Sequence, residues 1–575
     1  MSLTAQELID NSNRLITERV EWDLVWSDCA RLVLPLQSRT FNRGTANATR
    51  ETLEGWAAGP KSVDRYGDRF DITGLVAIDR LATGLMSLAT PDNEKWEDIG
   101  VADPVGSYEM NDAEVRWAER QRDFLLNTRY NALTGWVNAH GAAMRSMCVF
   151  GTGLYAIQEA FGRRGVDDVR VPYTFTHLPL GENYLTVDGQ GAHDQNYRRW
   201  RMSARAAYSR YGEALSVKAK EKATDPKKWH EMIELLHWVG YRQTKGAAGD
   251  PMRNSLVESV HVEVETKHEI RRGGFTYWPV IAYQWNAVDN SPYAEGPVLL
   301  VLAEIKSANV LGKNTLLSAQ QLTRPPVATM DNNTPRPNLN PSAINYGQLD
   351  AQGRLKIQPI LTAQNPSLVR EVQEASRQAI REGLYTNLWQ ALINNPQMTA
   401  TQSLIVANEK GELLGPVGTR IQHGLTKLTD AELTILEGKG AWAPGGLLEP
   451  PDTLAGRDLR PRFKSPLDRM RRASELVGIQ RTLEVLLPLS QVRPGVLDKI
   501  DEDAIADIAQ EVTGAPRKMY KTDERLAKTR EQSSQMAQIE TGIGLAGAAG
   551  AAAEKAIPAA QAASGMLQQM ADAPA

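Results

Sequence analysis

Four short stretches of the 575-residue chain carry residue types that do chemistry in other contexts, and each fails on spacing. Leu311-Gly312-Lys313-Asn314-Thr315 holds the Gly-Lys pair of a phosphate loop, in which backbone N–H groups cradle phosphates and a Ser or Thr directly after the Lys holds Mg²⁺. Asn314 stands in that last place, and Ser307 stands where the first glycine is required. The stretch therefore reads as plain helix. Phe150-Gly151-Thr152-Gly153 supplies two glycines of a dinucleotide loop with no third, and reads as a tight turn. His230-Glu231-Met232-Ile233-Glu234 lacks the second His of a zinc-protease helix and reads as a solvated helix face. Asp501-Glu502-Asp503 lacks the Gly and terminal Glu of a calcium loop. It reads as a helix start, where the dipole favours acidic groups. No Ser-His-Asp or Cys-His arrangement is legible. No catalytic residue, metal site or cofactor is expected.

Polar chemistry of a looser kind remains. A basic run holds Arg457, Arg460, Arg462, Lys464, Arg469, Arg471 and Arg472. Two readings stand: a solvated face satisfied by ion pairs within the chain, or a face toward duplex DNA, whose phosphates attract cations regardless of sequence. A formal net charge of −4 argues against a tight grip on nucleic acid. Any DNA contact is expected to be local.

These residues need elements to position them. The length favours two to four structural regions, and 42% apolar content is enough to bury a core. The two cysteines, Cys29 and Cys148, cannot form a disulfide framework, which suits folding in a reducing cytoplasm. No signal peptide is read at MSLTAQELID, and no apolar run is long enough to span a bilayer.

Thr4 with Glu7 makes a capping box opening a long amphipathic helix to about Pro35. A Gly-, Thr- and Asn-rich loop follows over 38–60, then helices over Gly74 to Leu88, Asn111 to Asn127 and Ala132 to Val149. Alternation at Val169, Val171, Tyr173 and Phe175 predicts a strand. Residues 205–240 read as helical, with Asp225-Pro226 as a helix start. Alternation on either side of Gly273-Gly274 predicts a hairpin turning there.

The informative region comes next. Ile305, Ala308, Leu311, Thr315, Ala319 and Leu322 step by three or four, in a helix that must stop before Pro325-Pro326. Residues 325–359 hold six prolines and one small hairpin, Ile344 to Leu349 turning at Gly353 into Leu355 to Ile357. A second helix runs from Pro366 to about Leu392, with Leu368, Val372, Ala375, Ala379, Leu384, Leu388 and Ala391 on its apolar side. It would be ~40 Å long at 1.5 Å per residue. Two helices bracketing a Pro-rich tip make a stalk with a head, and most helical stability comes from tertiary packing. The remaining apolar surface needs neighbours, and copies of the same chain are the simplest supply. Further helices fit Thr399 to Leu414, Leu425 to Leu436, Leu467 to Leu487, Asp503 to Val512 and Thr522 to Ile539, before an Ala/Gly-rich tail.

Several ordered stretches resemble the head-to-tail connecting (portal) protein family of T7-like short-tailed bacteriophages. They are DRLATGLMSLATP (79–91), VPYTFTHLPLGENYL (171–185), GPVLLVLAEIKSANVLGKNTLLSAQQLTRPPV (296–327), QAIREGLY (378–385), MTATQSLIVANEKGELLGPV (398–417) and RFKSPLDRM (462–470). The resemblance implies an α+β, mainly helical portal fold assembling as a ring, typically of twelve subunits. It divides the chain into a wing (1–302), first stem helix (303–324), clip (325–365), second stem helix (366–393), channel loop and return to the wing (394–465), crown (466–540) and tail (541–575).

It also implies a non-enzymatic virion component, made in the host cytoplasm and set at one capsid vertex. Double-stranded DNA would pass through the ring without sequence specificity. The implied partners are the terminase large subunit, a tail adaptor, and the major capsid and scaffolding proteins; no membrane is involved. The channel loop falls on Asn394, Asn395, Gln397 and Met398, which also suit a turn before a helix. Arg336, Arg354 and Lys356 at the tip would meet an acidic partner, or simply keep the tip soluble. An internal core or ejection protein of the virion, to which the Ala-rich tail is suited, is the alternative, and a DNA-translocating ATPase is the rival from the enzyme class.

Overall fold

A computed structural model describes residues 3–35, 37, 41, 69–102, 108, 110–160, 171–242, 254–323, 327–329, 336–338, 340, 342–359, 366–387, 400–454, 456–490, 500–513, 526 and 528–532. It divides into two units, Met1–Glu475 and Leu476–Ala575.

The first unit opens on the expected capping box, in which the Thr4 side chain accepts from the Glu7 N–H and Glu7 reaches back to the Thr4 N–H at 2.8 Å. The expected single helix is two, α1 (Ala5–Glu18) and α2 (Val20–Val33), joined at Arg19. Arg19 is buried at this joint, where it donates to the carbonyls of Leu180 and Asn183, pairs with Asp23 at 2.9 Å and lies 3.8 Å from the Tyr184 ring centroid. A straight helix carries no such inward turn. Helices α3 (Thr73–Ala89), α4 (Asp112–Arg129) and α5 (Trp136–Phe150) follow, with β1 (Glu97–Val101) between α3 and α4. Asn111 and Glu114 cap α4 reciprocally, as Thr4 and Glu7 cap α1.

Two antiparallel sheets come next. One has the order β3-β2-β9, from β2 (Thr152–Glu159), β3 (Tyr173–Leu178) and β9 (Val280–Gln284). The other has the order β4-β5-β6-β7-β8, from β4 (Asn183–Val187), β5 (His193–Ser203), β6 (Met232–Tyr241), β7 (Val257–Glu263) and β8 (His268–Phe275). Helices α6 (Ala204–Tyr211) and α7 (Val217–Thr224) sit between β5 and β6.

Two expectations fail here. The helix over 205–240 ends at Thr224; Asp225 accepts from the Lys227 N–H in a turn, and residues 232–241 are strand β6. Ile233 and Leu235 pack with Ala204, Ala207 and Ala219, whereas Leu236 and Trp238 pack with Leu8, Tyr184 and Tyr197. A strand buried on both faces loses its period of two, and its apolar run then imitates helical spacing. The hairpin also turns earlier than expected, over 264–267 with Lys267 at φ 56°, while Gly273 and Gly274 lie inside β8. Gly274 is there for space, since a Cβ would lie 2.6 Å from the Ser255 side chain.

After the two-residue strands β10 (Asn286–Ala287) and β11 (Ala294–Glu295) and the short helix α8 (Pro297–Leu300), the chain enters α9 (Leu302–Thr323). Strands β12 (Val327–Thr329) and β13 (Ile357–Pro359) pair antiparallel beyond its end, and α10 (Pro366–Gly383) returns. α10 is shorter than expected. It stops at Gly383, whose Cβ would lie 2.3 Å from a Val301 methyl, and Tyr385 adopts φ 56°. Leu388 and Ala391 lie outside the described residues.

α11 (Ala400–Gly438) is one 39-residue helix where two were expected, with Pro416 inside it. A proline removes one helix hydrogen bond but does not end a helix held by tertiary packing. Leu414, Val417, Ile421, Leu425 and Leu428 supply that packing in the main core, together with residues of α2, α3, α5, β2 and β9. β14 (Leu459–Phe463) pairs with β1, and α12 (Pro466–Ser490) follows. The second unit holds the remainder of α12 and α13 (Glu502–Thr513), with Arg530 paired to Asp503 at 2.6 Å. The loop over 42–60, most of the helix expected at 522–539 and the tail lie outside the described residues.

Candidate assembly and DNA interface

The failed motifs have structural uses. Gly312 admits the Phe70 backbone, whose carbonyl would lie 2.9 Å from an added Cβ, and Lys313 places its ammonium 5.8 Å from the Phe70 ring centroid. Gly151, at φ 85°, ends α5, and a Cβ there or on Gly153 would overlap the carbonyl of Ala294 or Ala143. His230 and Glu231 fall in a turn, not on a helix face. Asp501 accepts from the N–H groups of Asp503 and Ala504, at 3.0 and 3.2 Å, so the acidic cluster opens α13 as expected.

The stalk is the feature these sequences build. α9 and α10 run antiparallel and are tied at their base to the rest of the unit. Asn309 Oδ1 accepts from the Phe70 N–H at 2.7 Å, Lys306 pairs with Asp28 at 2.6 Å, and Arg377 donates to Asp71 at 2.7 Å. Gly74 lets Ile305 approach to 3.2 Å of its Cβ position. Burial of the Asp71 carboxyl opposes its charge, but bonds from Thr73 and Arg377 outweigh this and hold its pKa below the ordinary value.

At the far end, only the turn of the expected hairpin is present, since residues 344–348 form no strand and Ile357 pairs with Thr329 in β12. Leu349 and Leu355 form a bridge, Gly353 takes φ 76°, and Asp350 accepts from the Gln352 and Arg354 N–H groups. Arg354 pairs with Asp350 at 3.1 Å, so part of its charge serves the turn, while Lys356 and Arg336 are exposed. Asn345 bonds the backbone of Asn338 in both directions, which brings the segment holding Arg336 to the same tip. The tip is also apolar: Ile344, Tyr346, Leu349 and Leu355 are exposed, Tyr346 at 81%. Asn394, Asn395, Gln397 and Met398 lie outside the described residues.

The basic run sits on β14 and the start of α12. Lys464 pairs with Asp98 at 3.1 Å, Arg469 with Glu94 and Arg472 with Glu475 at 3.0 Å, and Arg457 stacks on Tyr108 at 4.0 Å. Arg460 and Arg462 are exposed on β14, opposite Gly100 and Asp98 in register. The side chain of Arg471 lies outside what is described.

Sequence reasoning missed a buried ionic cluster behind this strand. Arg129, fully buried at the end of α4, donates through Nε to Glu432 at 2.9 Å, through Nη1 to Glu97 and through Nη2 to Thr429 at 2.8 Å. Burial raises the Glu432 carboxyl pKa, and Arg129 opposes that rise. Residues 32 and 303 positions apart form this cluster, and no local spacing signals it. Among the described residues, no group of acidic, His or Cys side chains could hold a metal, and no helix is long and apolar enough to cross a membrane.

A family model described as bacteriophage head to tail connecting protein matches residues 5–520. Two curated relatives align over nearly the whole chain. The portal protein of Salmonella phage epsilon15 is 25% identical over 559 residues, covering 95% of this chain and 94% of the relative. The probable portal protein of Bordetella phage BPP-1 is 23% identical over 549 residues, covering 92% and 91%.

Proposed function

The chain belongs to the family of bacteriophage head to tail connecting proteins and serves as a phage portal subunit, and we propose that its copies close into a ring at one capsid vertex. Double-stranded DNA would enter through this ring during packaging and leave through it at ejection. The role is structural, as a virion component, and ATP hydrolysis falls to the terminase that docks on the ring. The observation that carries this reading is the stalk, two antiparallel helices anchored at one end and crowned by an exposed apolar and basic tip.

The regions follow from it. Residues 1–302 form the wing, 303–324 and 366–393 the stem, 325–365 the clip, 394–465 the channel loop and return, and 466–540 the crown. The clip, through Arg336, Arg354 and Lys356, meets the terminase first and the tail adaptor later. Asn394, Asn395, Gln397 and Met398 face the channel, where uncharged side chains let DNA slide. Within the run of Arg460, Arg462, Lys464, Arg469, Arg471 and Arg472, the exposed Arg460 and Arg462 are the groups best placed to meet phosphates, since Lys464, Arg469 and Arg472 already hold carboxylates.

Native mass spectrometry of the purified chain at micromolar concentration, with an electron-microscope class average down the ring axis, tests the reading. A closed ring of about twelve copies is expected, in line with a cyclic heterologous assembly. A monomer or an open aggregate overturns it.

A further inference from the structure

A row of basic side chains crosses the five-stranded sheet. In register, Arg198 on β5 stands opposite His237 on β6, His237 opposite His261 on β7, and His261 opposite Arg271 on β8. The two imidazoles stack with ring centroids 3.9 Å apart. Like charges set directly opposite each other destabilise a sheet, so such a row is kept at low charge or is neutralised by a counter-ion. Burial, with the neighbouring arginines adding to it, holds both imidazoles below their ordinary pKa, so they stay neutral. The arginines keep their charge. Glu182 takes Nε and Nη2 of Arg198, at 3.1 and 3.0 Å, but among the described residues no carboxylate pairs with Arg271 or with Arg210 at the end of α6.

These groups meet at a cleft between the two sheets. Gln158 of β2 and Thr176 of β3 line it from one sheet, Asn196 and Arg198 of β5 and His237 of β6 from the other, with Arg210 beside them. Its volume of about 50 Å³ is several times the ~10–15 Å³ that one water needs, and small for a nucleotide. No acidic side chain among the described residues lines it. Size and charge therefore suit a small oxyanion.

One lining group narrows the choice. Asn183 donates from Nδ2 to the Pro179 carbonyl at 2.7 Å, so its Oδ1 must accept, and Asn196 donates to that oxygen from Nδ2 at 3.1 Å. These bonds fix the orientation of the Asn196 amide and leave its Oδ1 buried without a partner. An acceptor set among donors calls for an anion that itself carries a proton.

We propose that this cleft binds one inorganic phosphate. The Nη1 edge of Arg198 and the Arg210 guanidinium donate to its charged oxygens, and its hydroxyl donates to Asn196 Oδ1. Near neutral pH inorganic phosphate keeps that proton, whereas sulfate has none and a phosphate monoester, with a second pKa of ~6, has lost it. The ion bridges the two sheets, because Gln158 and Thr176 belong to the other one.

Isothermal titration calorimetry of the full-length chain with sodium phosphate, in a buffer free of other oxyanions, tests this. One saturable site per chain is expected, with sulfate and dAMP at least tenfold weaker. Phosphate should also raise the melting temperature beyond sulfate at equal ionic strength, since a ligand of the folded chain stabilises it, while exclusion of salt from the surface acts for both ions. Arg210 is exposed and outside any ion pair among the described residues, so Arg210→Gln should leave the fold intact and weaken phosphate at least tenfold. A chain that neither takes up phosphate saturably nor melts higher in phosphate than in sulfate overturns the proposal. So does equal affinity for sulfate or dAMP, or undiminished binding by Arg210→Gln.

Discussion

Arg129 is held between two carboxylates in an interior that excludes water, and its contribution is easiest to see by removing it. Arg129→Met would leave Glu97 and Glu432 buried against each other without a cation. A loss of about 3–5 kcal/mol is expected, read as a lower urea midpoint, because an uncompensated buried charge costs more than the pair contributed. His140 gives a pH signature. Burial, with Arg129 adding to it, pushes its imidazole down to about 3, and it stays neutral between Thr90 and Tyr283, each at 3.1 Å. The unfolded chain takes up a proton below the ordinary value of about 6.5. Stability from this group is therefore complete above that pH and declines as pH falls toward 3, by up to ~1.4 kcal/mol per pH unit. His140→Gln should flatten the loss of urea midpoint between pH 7 and 5; an unchanged slope would place the titration elsewhere, with His177 and His261 the next groups to replace.

At the scale of elements, the stalk depends on close approach at its foot. Gly383→Val would drive two methyl groups into Val301, so α10 must shift or detach. A destabilisation of about 1–3 kcal/mol is expected from such overpacking, with protease cleavage appearing first near residue 384. The tip behaves oppositely. Tyr346 is almost wholly exposed, so Tyr346→Ser should change the unfolding free energy of the isolated chain, read from urea titration, by less than about 0.5 kcal/mol. Deleting residues 340–358, which removes the hairpin turn at Gly353, should spare ring formation and abolish terminase pull-down. Retained pull-down would move the docking surface off the tip.

For the whole molecule, assembly and folding separate. Val372→Asp places a carboxylate on a face of α10 that is exposed in the single chain and that the ring reading has a neighbouring copy cover. The monomer should unfold at the same urea concentration as the unmodified chain, while native mass spectrometry should show no ring, because the carboxylate would be desolvated without a partner. Intact rings would mean that the α10 face remains open in the assembly.

What the sequence determined by itself was whatever local rules govern. The capping box at Thr4 and Glu7, the helix stops before Pro91 and Pro325, the turn at Gly353 and the absence of a complete phosphate loop all rest on residues within a few positions of one another. The ordered stretches likewise identified the family, because order along the chain is a property of sequence. Tertiary structure alone decided the rest. β6 was misread because both its faces are buried; α11 runs through Pro416 because the core holds it on either side; Gly273 and Gly274 make a strand and not a turn. The Arg129 cluster joins residues far apart in the chain. The two faces of α10 could be told apart by composition, but which of them turns inward was decided by packing, which buries Gln373 and Ser376 and leaves Val372 exposed.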